Sequence, residues 1–176
     1  MRCNFALILE NPSIFIELAH RYYHSHQAAY LLGSNSLPHI TLCQFMVRDN
    51  ALLEILKKEF QRLSNQHHFF SLLKLQAKIG TKSFEQYQWI ELTVKNTPAL
   101  KKLHNEACAI LERYAIACEN PSKQYYQPHV TLAAIRKEDS LTFPVCPDNI
   151  FHQPISCYTT LGFSDETWQF IKIESR

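Results

Sequence analysis

The pentapeptide Pro38-His39-Ile40-Thr41-Leu42 returns later in the chain as Pro128-His129-Val130-Thr131-Leu132. Both copies have a β-branched residue at the third position, and they lie about half a chain length apart in a sequence of 176 residues. A repeat at this spacing predicts two similar halves, each of which contributes one copy to a shared site at a pseudo-two-fold axis.

Each copy also predicts which side chains share a face. In an extended strand, side chains alternate between the two faces, so His39 and Thr41 point one way while Ile40 and Leu42 point into a core. His39 and Thr41 are then neighbours, with Cα atoms about 6.5 Å apart. The second copy presents His129 in the same way.

This pairing of residue types predicts a specific chemistry. An imidazole can gain or lose a proton near neutral pH, and a hydroxyl beside it can donate a hydrogen bond to an oxyanion. Two imidazoles on either side of a phosphate can act as general base and general acid. We therefore predict His39 and His129 as catalytic residues, with Thr41 and Thr131 binding the phosphate oxygens. Either histidine taken alone would be better explained as a structural residue.

The two motifs closely resemble the His-x-Thr pair of the 2H phosphoesterase superfamily, which includes 2′-5′ RNA ligases and 2′,3′-cyclic phosphodiesterases. The family's motif residues correspond to His39, Thr41, His129 and Thr131. The resemblance implies a bilobal α+β fold with a cleft between two pseudo-symmetric lobes. It also implies hydrolysis of a 2′,3′-cyclic phosphodiester on a nucleotide or RNA end, without a metal ion or another cofactor.

Composition is consistent with a small substrate. The chain is 46% hydrophobic and 19% charged, which is typical of a soluble domain with a core of its own. Its net charge of +2 gives no strong field for a long polyanion, so a nucleotide or an RNA end is the expected binding partner. The apolar run at residues 5–9 is too short for a signal peptide or membrane span. We expect a cytoplasmic protein, and no protein partner is evident.

The order of elements predicts the fold class. Strands are expected at residues 3–9, 39–47, 69–79, 88–95, 155–163 and 167–173, and at the second motif. Helices are expected after Asn11-Pro12, Asp49 and Thr97-Pro98, which are suitable N-terminal residues. Because helices and strands do not alternate regularly, the pattern favours α+β with antiparallel sheets flanked by helices. No linker divides the chain, which predicts one bilobal domain over residues 1–176.

Three aromatic residues are further candidates for contact with the substrate. Tyr125 and Tyr126 directly precede the second motif, where a ring could stack on a base, a hydroxyl could reach the phosphate, or the side chain could pack the lip of the cleft. Phe45 continues the alternation of the first motif strand. It is therefore expected either to line one end of the cleft or to cover the interface between the lobes.

Three other interpretations remain open. The same cleft could process RNA ends, by 2′-5′ ligation or by exonucleolytic trimming, or it could be an RNA-binding module without catalysis. A zinc site would use His39 and His129 with Cys43 as a third ligand. The six cysteines show no metal-binding spacing and are predicted as buried apolar residues in a reducing compartment, so we predict no metal site. The pattern does not indicate which histidine is the general acid and which the general base. It also does not indicate which nucleobase the substrate carries.

Overall fold

The computed structural model describes residues 1–23, 28–67, 73–74, 77–84, 86–119, 125–137, 154–166 and 169–173. Within them the chain forms ten strands and three helices. In chain order they are β1 (Arg2–Leu9), α1 (Pro12–Tyr23), β2 (Ala28–Leu31), β3 (His39–Met46), α2 (Asn50–Gln66), β4 (Leu73–Lys74), β5 (Ala77–Phe84), β6 (Tyr87–Val94), α3 (Pro98–Arg113), β7 (His129–Arg136), β8 (Pro154–Ile155), β9 (Cys157–Ser164) and β10 (Phe170–Ile173).

The strands form two four-stranded antiparallel sheets, and this confirms the predicted fold class. The sheet of the first lobe has the order β10-β9-β1-β3, and that of the second lobe has the order β2-β7-β6-β5. A short pair, β4 and β8, stands apart from both. Strand β2 was not predicted. It has only four residues and pairs along the outer edge of β7.

Local signals set the helix starts as predicted. The Asp49 side chain accepts a hydrogen bond from the Ala51 N–H at 2.9 Å and caps α2. The Thr97 hydroxyl accepts from the Leu100 N–H at 3.2 Å and caps α3. At its other end α3 closes with three backbone bonds, from the Ala115 N–H to the Glu112 carbonyl and from the Tyr114 and Ile116 N–H groups to the Leu111 carbonyl.

The two halves share one pairing scheme around the motifs. Ile8 pairs with His39 across β1 and β3, and Thr93 pairs with His129 across β6 and β7. One residue further, the Leu9 N–H bonds to the Pro38 carbonyl at 3.0 Å, and Val94 bonds to Pro128 at 2.9 Å. One helix of each half packs on the other half's motif strand, because α1 contacts β7 and α3 contacts β3. The pseudo-two-fold arrangement is therefore interlocked.

A β-bulge follows the threonine of the first motif. Phe5 pairs with Cys43 and Ala6 pairs with Thr41, so Leu42 is an extra residue on β3. The predicted strict alternation is wrong beyond this point, because the bulge reverses the facing of the rest of the strand. Cys43 and Phe45 turn into the core, where both are fully buried.

The second motif strand carries the same irregularity at the equivalent place. Ile90 pairs with Ala133 and Glu91 pairs with Thr131, which leaves Leu132 as the extra residue on β7. Each lobe therefore kinks its strand directly after the His-x-Thr unit. Bulges of this kind redirect side chains next to functional sites.

Among the described residues Cys3, Cys43, Cys108, Cys118 and Cys157 are all thiols, and all but Cys118 are buried, as expected. No helix in the described ranges is long and apolar enough to cross a membrane.

Candidate active site

The motif strands β3 and β7 come together between the sheets, with one motif from each lobe. Thr41 and Thr131 are both partly exposed on these strands, whereas the residues between histidine and threonine, Ile40 and Val130, are fully buried. His39 lies near enough to His129 for a charge on His129 to lower the pKa of His39. The structure thus brings together the four residues predicted from the repeat.

Both imidazoles are held in the same way. His39 Nδ1 lies 2.7 Å from the carbonyl oxygen of Leu37, and His129 Nδ1 lies 2.9 Å from that of Gln127. A carbonyl only accepts, so Nδ1 carries the hydrogen in each ring. The second nitrogen, Nε2, is then the one available for chemistry in both lobes.

The surroundings of the two rings differ. His39 is 8% exposed and lies against the Phe170 ring, with 5.5 Å between centroids. Burial is the main cause that lowers the pKa of His39 to about 4, while the bond to Leu37 opposes the shift. The His129 side chain is 34% exposed. His39 is therefore neutral at neutral pH, and His129 keeps contact with solvent.

Two polar residues outside the motifs also reach the histidines. Asn4 on β1 is fully buried, and its Nδ2 lies 3.4 Å from His39 Nε2 and 3.4 Å from Thr41 Oγ1. Glu91 on β6 places Oε1 3.5 Å from His129 Nε2. Sequence reasoning missed both residues, because it searched along the motif strands and the contacts come from the strands paired with them.

Phe45 does not line the cleft. Its ring is fully buried and stacks on Phe60 of α2, with 5.7 Å between centroids. The bulge at Leu42 is the physical reason, since it turns Phe45 to the face opposite Thr41. Cys43 turns the same way, so its thiol faces the core and cannot complete a zinc site with His39 and His129.

Tyr126 is an interlobe contact, and its ring is not accessible to a nucleotide base. It is 6% exposed, stacks on His104 of α3 with 3.9 Å between centroids, and donates from its hydroxyl to the Thr41 carbonyl at 2.8 Å. His104 Nδ1 lies 2.6 Å from the Leu42 carbonyl oxygen, and the Glu119 N–H bonds to the Gln44 carbonyl at 2.8 Å. The outer edge of β3 is thus bonded to the second lobe by Tyr126, which the sequence singled out for contact with the substrate, and by His104 and Glu119, which it did not single out.

Tyr125 has the opposite environment. Its side chain is 69% exposed, four residues before His129. It is the one predicted aromatic candidate that remains accessible to a ligand.

The described residues contain no group of three or more histidine, cysteine or acidic side chains that could hold a metal ion. Glu91 is nevertheless a carboxylate beside a motif histidine, where the motif strands alone predicted none.

A sequence profile of the 2′-5′ RNA ligase superfamily matches residues 17–152. No curated protein sequence matches the chain significantly. Among solved structures, E. coli LigT complexed with NADP+ has a TM-score of 0.62 and 16% identity, covering 93% of this chain and 88% of LigT. The MHV ns2 PDE domain has a TM-score of 0.53 and 13% identity, covering 90% of this chain and 97% of that domain. These structures have the same fold. Other crystals of LigT contain ATP or 3′-AMP.

Proposed function

Because the chain belongs to the 2′-5′ RNA ligase superfamily of 2H phosphoesterases, we propose that its cleft hydrolyses a 2′,3′-cyclic phosphodiester on a nucleotide or RNA end. Catalysis uses His39 and His129 as the general acid and base pair and needs no metal ion. One imidazole removes a proton from the attacking water, and the other donates a proton to the ribose oxygen that leaves. The Thr41 and Thr131 hydroxyls donate hydrogen bonds to the non-bridging oxygens.

The matched orientation of the two imidazoles carries this proposal. Each ring donates from Nδ1 to the carbonyl two residues earlier, which leaves Nε2 of each ring for a ligand held between the lobes. An acid and a base on opposite sides of a phosphorus atom are what in-line displacement requires.

A nucleotide is the substrate class that the surroundings favour. The net charge of +2 provides little attraction for a long nucleic acid, and E. coli LigT binds nucleotides in the same fold. Tyr125 supplies an exposed ring, four residues before His129 in the chain, on which a base can stack. Tyr125→Ala should raise KM and leave kcat nearly unchanged, because the ring contacts the base and not the reacting atoms.

Alanine substitutions of the histidines test the proposal. His39→Ala and His129→Ala should each lower kcat/KM on 2′,3′-cyclic mononucleotides by about a hundredfold or more. His20→Ala, on the exposed face of α1, is the matched control and should keep full activity. Near-native turnover by either motif variant, with an unchanged circular dichroism spectrum, would contradict two-histidine catalysis.

Chelation tests the absence of a metal requirement. Activity should survive EDTA, because two imidazoles and two hydroxyls provide both the proton transfer and the oxyanion contacts. Glu91 and His129 alone are fewer ligands than zinc or magnesium takes in proteins. Activity lost to the chelator and restored by zinc would make the histidines metal ligands.

Ligation is the second candidate, because the family includes 2′-5′ RNA ligases and the same acid and base pair can catalyse the reverse reaction. A product-resolved screen separates the possibilities. It compares the four 2′,3′-cyclic mononucleotides with short RNAs that end in a cyclic phosphate or in a hydroxyl. Hydrolysis yields a phosphomonoester, ligation a longer RNA, trimming a shorter one, and a binding module no product.

A further inference from the structure

We propose that Asn4 and Glu91, both outside the motifs, give the two histidines opposite roles. Asn4 keeps His39 as the proton acceptor for the attacking water, and Glu91 keeps His129 as the proton donor to the leaving oxygen. This inference rests on the proposed function for its catalytic part, while its statement about the ring protons stands without it.

Asn4 presents an N–H group to His39. The ring already donates from Nδ1 to Leu37, so Nε2, which lies 3.4 Å from Asn4 Nδ2, faces a donor and must hold a lone pair. The other amide hydrogen is directed to Thr41 Oγ1 at 3.4 Å. Thr41 accepts at its oxygen and is left with its own hydrogen for a phosphate oxygen. Asn4 therefore orients both groups of the first motif.

The reverse amide orientation would need a doubly protonated His39 ring, and the surroundings oppose it. The ring is 8% exposed and lies against Phe170. Burial, together with a smaller contribution from a charge on His129, lowers the pKa of His39 to about 4. A neutral ring whose Nε2 carries no hydrogen is a general base.

Glu91 presents only acceptors to His129. Its carboxylate oxygen lies 3.5 Å from Nε2, while Nδ1 of the same ring donates to Gln127. A ring placed between a carbonyl and a carboxylate satisfies both when both nitrogens carry hydrogen. The ring is 34% exposed, so a positive charge on it stays hydrated. A doubly protonated imidazole is a general acid.

The strand register shows that Asn4 and Glu91 each have a different residue type at the equivalent position of the other lobe. Thr131 pairs with Glu91 in the second lobe, whereas Thr41 pairs with Ala6 in the first. The counterpart of Asn4 is Trp89. Asn4 pairs with Gln44, three residues after Thr41, and Trp89 pairs with Ala134, three residues after Thr131. The motifs alone would give a symmetric pair without a direction, and the residues paired with them supply one.

Proton uptake and release balance over one turnover. Water loses a proton to His39 Nε2 as its oxygen bonds to phosphorus, and the bond from phosphorus to one ribose oxygen breaks. That oxygen takes the proton from His129 Nε2. The product is a phosphomonoester with a free ribose hydroxyl. His39 then releases its proton to solvent and His129 regains one, which restores the starting state.

Asn4 also has a destabilising feature that is not expected of a residue with a purely structural role. Its Oδ1 is buried and has no hydrogen-bond partner within the described part of the chain. An unpaired buried oxygen lowers the stability of the fold. Asn4→Leu, of similar volume, should therefore keep or raise the melting temperature while it lowers kcat. A structural role predicts that both fall.

A change of leaving group tests the roles. The two substrates are 2′,3′-cyclic AMP and catechol cyclic phosphate, whose phenolic leaving group has a pKa of about 10 and needs little help from an acid. On the nucleotide, His129→Ala should lose about a hundredfold or more and Glu91→Gln about tenfold or more, whereas on the catechol ester both should lose less than about threefold. Asn4→Leu and His39→Ala should lose similar factors on both substrates. Glu54→Gln, on the exposed face of α2, is the control.

The opposite pattern, in which Asn4→Leu is rescued by the catechol ester and Glu91→Gln is not, would overturn the assignment. Equal losses for all four variants on both substrates would overturn it as well. Nitrogen-15 NMR of the histidine rings is a second test, and it does not depend on catalytic activity. At about pH 5.5, where an ordinary histidine is charged, His39 should carry hydrogen on Nδ1 alone, and Glu91→Gln should reduce the share of His129 rings that carry hydrogen on both nitrogens.

The two tests separate this inference from the proposed function. If no cyclic phosphodiester is hydrolysed but the NMR result holds, the proposed function is wrong and the assignment of ring protons stands. If both rings carry two hydrogens at that pH, the inference is wrong whatever the activity.

Discussion

His39 is the motif residue whose environment differs most from water, and this makes the stability of the fold depend on pH. The pKa of His39 is about 4 in the folded protein and 6.5 as the ordinary value. Between these two pKa values His39 is protonated in the unfolded chain but not in the folded protein. The free energy of unfolding therefore falls as pH falls. We expect the His39 contribution to decrease by about 2 kcal/mol between about pH 7.5 and pH 5.

Urea denaturation at both pH values measures this effect. His39→Gln should flatten the pH dependence relative to the wild type, and the difference between the two proteins removes the contribution of the other histidines. His20→Gln, on the exposed face of α1, is the control and should follow the wild type. A His39→Gln curve parallel to the wild-type curve would mean that the ring is not desolvated in solution.

Two neighbouring tyrosines provide a matched pair of substitutions. Tyr126→Phe removes the hydroxyl that donates to the Thr41 carbonyl, and this should destabilise the protein by about 1–3 kcal/mol because a buried acceptor loses its partner. Tyr125→Phe changes an exposed hydroxyl and should alter stability by less than about 0.5 kcal/mol. Equal effects in chemical denaturation would place both side chains in the same environment and contradict the structure.

At the scale of elements, the C-terminus of α3 carries a residue in an unfavourable conformation. Ala115 has φ of 53°, in the left-handed region that favours glycine, while it closes the helix by bonding to Glu112. Ala115→Gly should raise the free energy of unfolding by about 1 kcal/mol. Ala109→Gly, at an exposed position inside α3, should lower it by a similar amount. Two shifts of the same sign in thermal denaturation would show that this helix end differs in solution.

The sequence predicted the elements whose determinants are local. Asp49 and Thr97 cap α2 and α3 as expected, and the repeat identified all four motif residues that the strands bring together. The position of Phe45 was wrong because a bulge depends on how β3 pairs with β1, which no pattern within β3 contains. Glu91 was missed for a similar reason, since only the register of β6 on β7 places it beside His129.

At the scale of the whole molecule, the interlocking of the two lobes predicts one cooperative unit over residues 1–176. One helix of each half packs on the other half's motif strand, and the β3 edge bonds to the second lobe through Tyr126, His104 and Glu119. We expect a single unfolding transition that is the same by circular dichroism and by tryptophan fluorescence. Two separated transitions would show that the lobes are independent domains.

The same interlobe bonds also affect how the protein behaves in concentrated solution. A strand at the edge of a sheet presents unpaired carbonyl and N–H groups, which another chain can use to extend the sheet into an aggregate. On β7 this edge is covered by β2, but on β3 the carbonyls of Thr41 and Leu42 are bonded by the side chains of Tyr126 and His104. These two aromatic residues therefore also protect the chain against self-association, because they occupy the acceptors that a second molecule would need.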